Sequence, residues 1–515
     1  ADMNNYDIVR NGHYEMNVTL VGIDLLDERI TVGEIPPIEV DPDNIPAEGG
    51  EKTVAITTRP GQPWSFTMPD WLTALIGDKT AGGGSTVSDN KPYTIPFTAA
   101  VNPTAEAREA DIVIDLQGTT KTIHIGQNAS TLSVSGAKTV VATASTGNTS
   151  TFTATAGLSW NVSSPDWLTL TSTPSGTDNT TGAAQDIKFS VDVNQNESTR
   201  SGNITVKVGN AVSSTDAGLT KTIAVTQSAS SLTASVNPTT ALAVTAGASG
   251  TYTMNGTQGL SYSFTAGFPM WLNVTNGSAS TSGGTTSGTN QTLTYKTASV
   301  NPSSSERSAT VTVKAGNISK DVIIKQSAST LSVSGAKTVT ATASTGNTST
   351  FTATPGLSWN VGIVSPDDWL VQTSSAGGTD NTTVAAQTIT YDAVVNPNES
   401  DRQGTITVKV GNAVSGTDTG LTKTIAVTQS ASSLTASIDP AGVLAATKDA
   451  SGTFTMNGTS GLSYTITPTF PSWLTVTNGT ASTDGGTTSG SAQTLTYVTA
   501  SVNPNVSERK ATVTV

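Results

Sequence analysis

Ser164-Pro165-Asp166-Trp167-Leu168-Thr169-Leu170 sets the frame for the whole chain, because shorter versions of it recur four more times. They are Pro69-Asp70-Trp71-Leu72, Pro269-Met270-Trp271-Leu272, Asp367-Asp368-Trp369-Leu370 and Pro471-Ser472-Trp473-Leu474. Successive Trp are 96, 104, 98 and 104 residues apart, a spacing that fits one β-sandwich domain of about 100 residues. The chain therefore reads as a tandem array.

Other aromatic residues keep register with this motif. Trp64, Trp160, Tyr262, Trp359 and Tyr464 lie seven to ten residues upstream of it. Tyr93, Phe189, Tyr295, Tyr391 and Tyr497 lie 22 or 24 residues downstream, and Phe152, Tyr252, Phe351 and Phe454 form a fourth column. These columns hold 19 of the 26 aromatic residues, and a large ring repeated once per domain on strands most simply builds a shared core. Trp64, Trp71, Trp160, Trp167, Trp271, Trp359, Trp369 and Trp473 are thus expected to be buried, with the five Trp of the Trp-Leu motif equivalent. The competing reading makes that motif a sugar-stacking platform.

The chain has 515 residues, too many for one ordinary domain. Charged residues are only 12%, and β-branched residues fill alternating segments such as Ile187-Lys188-Phe189-Ser190-Val191 between Gly-, Ser- and Asn-rich turns. Such a pattern specifies an all-β protein. A net charge of -13 without a basic cluster argues against nucleic acid or an anionic membrane surface as partner. No run of 18 apolar residues suggests a membrane span, and the absence of cysteine excludes disulfides and thiolate metal sites.

Taken in order, residues 1–36 stand apart, residues 37–128 form repeat one, and repeats two to five span 129–229, 230–328, 329–431 and 432–515. Repeats two and four are of one type: Leu132-Ser133-Val134-Ser135-Gly136-Ala137-Lys138 returns unchanged as Leu331-Ser332-Val333-Ser334-Gly335-Ala336-Lys337. Repeats three and five are of the other, so the array reads as a duplicated two-domain unit. Each repeat yields about seven short strands, the pattern of an immunoglobulin-like sandwich. An Asn-to-Arg turn also recurs, as in Asn194 to Arg200 and Asn301-Pro302 to Arg307. Its Arg is expected to tie the turn through carboxylate and carbonyl hydrogen bonds.

In residues 13–20, apolar Tyr14, Met16, Val18 and Leu20 alternate with polar neighbours, as in a half-buried strand that must pair with a sheet elsewhere. Repeat five stops at Val515, before the further strand that closes every earlier repeat near Gln127, Gln227, Gln326 or Gln429. It is expected to lack its last strand. Continuation of the protein past residue 515 is the expected source of that strand, with donation by a neighbouring subunit as the other.

No catalytic constellation emerges. The two His, His13 and His124, have no partner motif, no calcium loop is present, and glycine-rich stretches such as Gly283-Gly284-Thr285 lack the Lys and helix of a phosphate cradle. No metal or cofactor is expected.

The Trp-aromatic pairs, Asp-Trp-Leu, the Asn-Pro to Glu-Arg turn and the closing Val225-Thr226-Gln227-Ser228 together make the repeats resemble BACON domains. That resemblance implies immunoglobulin-like modules of Bacteroidetes surface proteins, carbohydrate-binding or acting as spacers. Repeats three and five depart from it in having Met270 and Ser472 where the others have Asp. Separately, Ile8 to Leu20 resembles the Arg-Asn-x-x-Tyr segment near the C-terminal end of fimbrillins, the pilus subunits of Bacteroidales. This implies strand pairing with other fimbrial subunits. The expected function is a non-enzymatic extracellular stalk on a bacterial cell surface, with a multivalent glycan-binding adhesin as the alternative. Phe268 and Phe470, outside the columns and beside Pro, are the candidate glycan contacts, and capping of the sandwich end is their bland reading.

Overall fold

The computed structural model describes residues 40–515 apart from 42–43, 57–62, 77–80, 86–92, 117–118, 214–215 and 468. The strand expected at residues 13–20 lies outside the described residues. Among those described there is no α-helix, only short 3-10 turns between strands, and no helix long and apolar enough to cross a membrane. Two compact units emerge. One holds the first two repeats to Ser231 together with Thr257–Leu260; the other holds Leu232–Gly256 and Ser261–Val515.

Repeat two shows how the sandwich is made. Its first sheet has the order Leu132–Val134, Ser145–Ala154, Gln185–Val191, Leu168–Leu170. Its second has Lys138–Val140, Thr220–Gln227, Arg200–Val208, Trp160–Ser163, Ser175–Gly176. Strict alternation turns Ile187, Phe189 and Val191 inward, while Ile204, Val206 and Val208 meet them from the other sheet. Side chains of period two can bury one face of each sheet and leave Thr, Ser and Lys on the other. Each large apolar side chain so buried contributes about 1.5–3 kcal/mol.

Nine strands appear here where the sequence pattern gave seven. The first added strand arises because Ser135-Gly136-Ala137 breaks the alternation and carries the chain from one sheet to the other. There, Lys138–Val140 pairs in parallel with the last strand, Lys138 opposite Val225 and Val140 opposite Gln227. The second, Ser175–Gly176, is only two residues long, too short to show a period.

Repeat four repeats this order strand for strand, and repeat one has the same arrangement of four and five strands. In repeat three the parallel pairing shrinks to a single bridge between Leu242 and Gln326. In repeat five the first sheet is complete, whereas the second is Ser463–Tyr464 with Gly486–Thr487 plus a bridge between Thr467 and Thr514.

In the upstream aromatic column Trp64, Trp160, Tyr262 and Tyr464 are buried and Trp359 is half-buried, and in the duplicated repeats the column's polar edge is satisfied. Trp160 lies 5.2 Å from Phe152, centroid to centroid, and donates Nε1–H to Asn179 Oδ1 at 2.7 Å. Trp359 does the same with Phe351 and Asn381. A Cβ at Gly176 would fall 2.4 Å from the Trp160 Nε1, so the indole and its amide partner leave room only for glycine.

Candidate functional site

The Trp-Leu motif places its two apolar residues differently. Leu72, Leu168, Leu272 and Leu370 are buried, but of the five Trp only Trp369 is fully buried, and Trp71, Trp167, Trp271 and Trp473 are half-buried. The expectation of equivalent core Trp is therefore corrected. In every repeat the recurring Arg covers one face of the motif's ring. Arg108, Arg200, Arg307, Arg402 and Arg509 stand over Trp71, Trp167, Trp271, Trp369 and Trp473 at 4.4 to 4.8 Å from guanidinium carbon to ring centroid. Trp359 of the upstream column is also only half-buried.

Each stacked guanidinium is held in a fixed frame. In repeat two, Arg200 Nε donates to Gln227 Oε1 at 2.7 Å, and Nη2 to the Asp192 carbonyl at 2.8 Å. Gln227, fully buried, donates Nε2 to the same Asp192 carbonyl and to that of Ala142. The Asp192 amide in turn donates to the Trp167 carbonyl. The Trp167 backbone, the guanidinium and the carboxamide thus converge on one residue, Asp192. The pattern recurs with Arg108 and Gln127, Arg307 and Gln326, and Arg402 and Gln429. Burial lowers the pKa of the Arg108, Arg200, Arg307 and Arg402 guanidinium groups, yet an arginine so far above neutrality stays charged.

This geometry revises the expected role of the Arg: its side-chain partner is a Gln and not a carboxylate. The signal was present, since Arg and Gln recur at separations of 19, 27, 19 and 27 residues. The longer spacing marks an insertion in repeats two and four. In repeat five, Arg509 still covers Trp473 and donates to the Ser501 carbonyl at 2.8 Å.

Beside the clasp, a buried Asn fastens the linker to the next repeat. Asn194 Nδ2 donates to the carbonyls of Ser198 and Ser228, and its Oδ1 accepts from the Asn196 amide. Ser230, two residues along the linker, donates Oγ–H to the Asn194 carbonyl at 2.5 Å and its amide to the Asn196 carbonyl. Asn102 with Ser130, Asn301 with Ser329 and Asn396 with Ser432 repeat the arrangement. The short Ser-Ala-Ser linker is thereby sewn into the preceding turn.

The insertions of repeats two and four make a second attachment to the repeat before. The Asn412 amide donates to the Pro302 carbonyl at 2.9 Å. Asp418 accepts from Ser303 Oγ, Ser304 N and Ser304 Oγ at 2.6 to 2.9 Å. Hydrogen bonds from Ser304 above all pull the Asp418 carboxyl down to a pKa of about 2. At the corresponding joint between repeats one and two, the Asn210 amide meets the Pro103 carbonyl and Asp216 accepts from the Ala105 amide at 3.2 Å.

Phe268 is half-buried, 6.1 Å from Tyr252 and 5.6 Å from Phe264, and Phe470 packs on the repeat-five core. Both rings thus pack against aromatic or core residues of their own repeat. Among the described residues no Trp, Tyr or Phe is fully exposed. His124 lies on an exposed sheet face between Asp111 (2.9 Å) and Glu109 (3.3 Å). Hydrogen bonds to these carboxylates raise its pKa. Among the described residues no cluster of His, Asp and Glu is arranged to hold a metal ion.

The BACON family model, described as "Putative binding domain, N-terminal", matches residues 64–128, 159–228 and 263–327, and the "Viral BACON domain" model matches 433–515. Repeat four, between the matched stretches, carries the same clasp. No curated protein sequence matches the chain. Among solved structures, the I9-I11 tandem from titin is 9% identical, covers 56% of this chain and 98% of its own, and has a TM-score of 0.26. Protocadherin Gamma B2 extracellular domains 1-5 are 9% identical over 75% of this chain and 78% of theirs, with a TM-score of 0.17. A protein of unknown function from Porphyromonas gingivalis W83 is 10% identical over 37% of this chain and 99% of its own, with a TM-score of 0.15. The chain is a tandem array of immunoglobulin-like β-sandwiches that carries BACON domains.

Proposed function

We propose that this array is an extracellular spacer of a bacterial cell surface, a stalk that holds an adhesive or assembly domain away from the cell. The observation that carries this reading is the linker: a Ser and a buried Asn fix each one to the turn before it, which suits a part whose task is to transmit position. With about 8–10 strand residues per sandwich at roughly 3.3 Å each, five sandwiches end to end would reach on the order of 150 Å. Small-angle scattering on the full chain tests this. The expected radius of gyration lies well above about 24 Å, the value for a compact globule of this length; a value near that figure removes the spacer reading. The reading includes no catalytic step, metal or cofactor.

The second reading, a multivalent glycan-binding adhesin, is favoured by the family's description as a binding domain. If it holds, Phe268 and Phe470 are the contacts. A glycan array probed with the full chain, and with Phe268→Ala and Phe470→Ala together, decides it: binding lost in the double variant supports the reading, and no binding by the parent chain ends it.

A further inference from the structure

The inserted loop of repeats two and four docks on one particular position of the repeat before it. Each buried Asn closes its turn by the same bond, from Nδ2 to the carbonyl four residues on, at Glu106, Ser198, Ser305 and Ser400. The third residue after that Asn is therefore equivalent in repeats one to four: Ala105, Glu197, Ser304 and Glu399.

In repeat four the 3-10 turns Gly411–Ala413 and Thr419–Leu421 bracket the loop. Asp418 accepts from the Ser304 amide at 2.6 Å, as Asp216 accepts from that of Ala105 at 3.2 Å. Beside each carboxylate the two repeats touch. A Cβ at Gly420 would collide with Ser304 Cβ and Oγ, and one at Gly218 with Ala105 Cβ. Contact this close admits only a small, uncharged side chain at the third position. A longer one would run into the glycine, and a carboxylate would stand beside that of Asp418 or Asp216 and repel it.

Repeats two and four carry that unsuitable residue themselves, as Glu197 and Glu399. Repeat three, which follows repeat two in the chain, has no loop at this place: Arg307–Ala315 and Ile318–Gln326 are joined directly by Gly316-Asn317. A small residue thus precedes the loop, and Glu197 precedes the tight hairpin.

We propose that Ala105 and Ser304 are the specificity-determining residues of a recognition site between repeats. Its partner is a loop of the form Asp-x-Gly-Leu, seen as Asp216 to Leu219 and Asp418 to Leu421, and Glu197 and Glu399 close the equivalent position to such a loop. Attraction for one kind of neighbour and repulsion of the other together select which type of repeat can follow which. This inference does not depend on the spacer reading, since an array of any shape needs its repeats in order.

The joint between repeats three and four in the full chain provides the test. Because the chain has no Cys, spin labels at Lys296→Cys and Lys423→Cys, both exposed positions, report the spread of distances across it. Hydrogen exchange at the Asn412 amide, which donates to the Pro302 carbonyl, reports the docked loop. Ser304→Ala, which installs the residue of repeat one, is expected to leave both readouts near those of the parent. Ser304→Glu is expected to broaden the distance distribution and to speed Asn412 exchange by about tenfold or more. Exchange at Val311 and Val408 checks that both repeats stay folded; if either loosens, Ala105→Glu, read at the Asn210 amide on Pro103, takes the place of Ser304→Glu. A loop that stays docked against the introduced Glu, or one released as fully by Ser304→Ala as by Ser304→Glu, overturns the proposal.

Discussion

Gln227 has more depending on it than its place at the end of a strand suggests. Its Oε1 is the partner of Arg200 Nε and its Nε2 serves the Ala142 and Asp192 carbonyls, so an apolar replacement strands buried groups on both sides of it. Leaving such groups without partners costs about 1–3 kcal/mol, to which a weakened guanidinium–Trp stack adds about 0.5–1 kcal/mol. Gln227→Leu is therefore expected to destabilise repeat two by about 2–3 kcal/mol, read as faster hydrogen exchange of Ile204 to Val208 in the full chain. Exchange rates within twofold of the parent would show that the clasp contributes little. The sequence displayed every member of this clasp as a repeating column, yet not their mutual contact. Columns tell which residues share a role, whereas the pairing of Arg with Gln across neighbouring strands is fixed by register, as Arg200 opposite Gln227. For the same reason the half-buried position of Trp167 was hidden: a large apolar ring next to a buried Leu reads as core until its cover is found to be a cation.

At the scale of elements, strands were the most legible part, because inward and outward residues alternate in Gln185–Val191 and Arg200–Val208. The inserted loop was the least legible. Its residues carry no period, and its partners, Pro302, Ser303 and Ser304, lie more than 100 residues away in sequence. Gly411 is the element's fixed point, since both its positive φ and its approach to the Pro302 carbonyl exclude a side chain. Gly411→Ala is expected to detach the loop at a cost of about 1–3 kcal/mol in strain. The measurement is hydrogen exchange at Asn412, whose amide loses its bond to Pro302; protection equal to the parent's would contradict the assignment.

For the whole molecule, the all-β class and the fivefold period could be read from the first motif outward, but not what holds each Ser-Ala-Ser segment, because its partners lie in a turn about 30 residues earlier in the chain. Its order comes from buried Asn side chains in the preceding turn. The joint between repeats three and four also has a defined pH response. Asp418 titrates near 2 when folded, below the usual carboxylate value of about 3.9. Its contribution is therefore complete above about pH 4 and is lost as pH falls toward 2. Label distances across this joint should stay unchanged between pH 8 and pH 5, and a joint that loosens near pH 6 would mean another group controls it.

The parallel pairing of Lys138–Val140 with Val225–Gln227 has a mechanical meaning. Tension along the chain pulls the entering strand and the leaving strand of a repeat in opposite directions, loading their shared hydrogen bonds in shear, so that they must rupture together and cannot unzip singly. Repeat four has the same three-residue ladder, Lys337–Val339 on Val427–Gln429, while repeat three has a single bridge. Stretched in an optical trap, at loading rates where rupture follows the unfolding rate, repeat three should give way at lower force than repeats two and four, which carry the full ladder. A uniform set of rupture forces would show that the ladder is not the mechanical clamp.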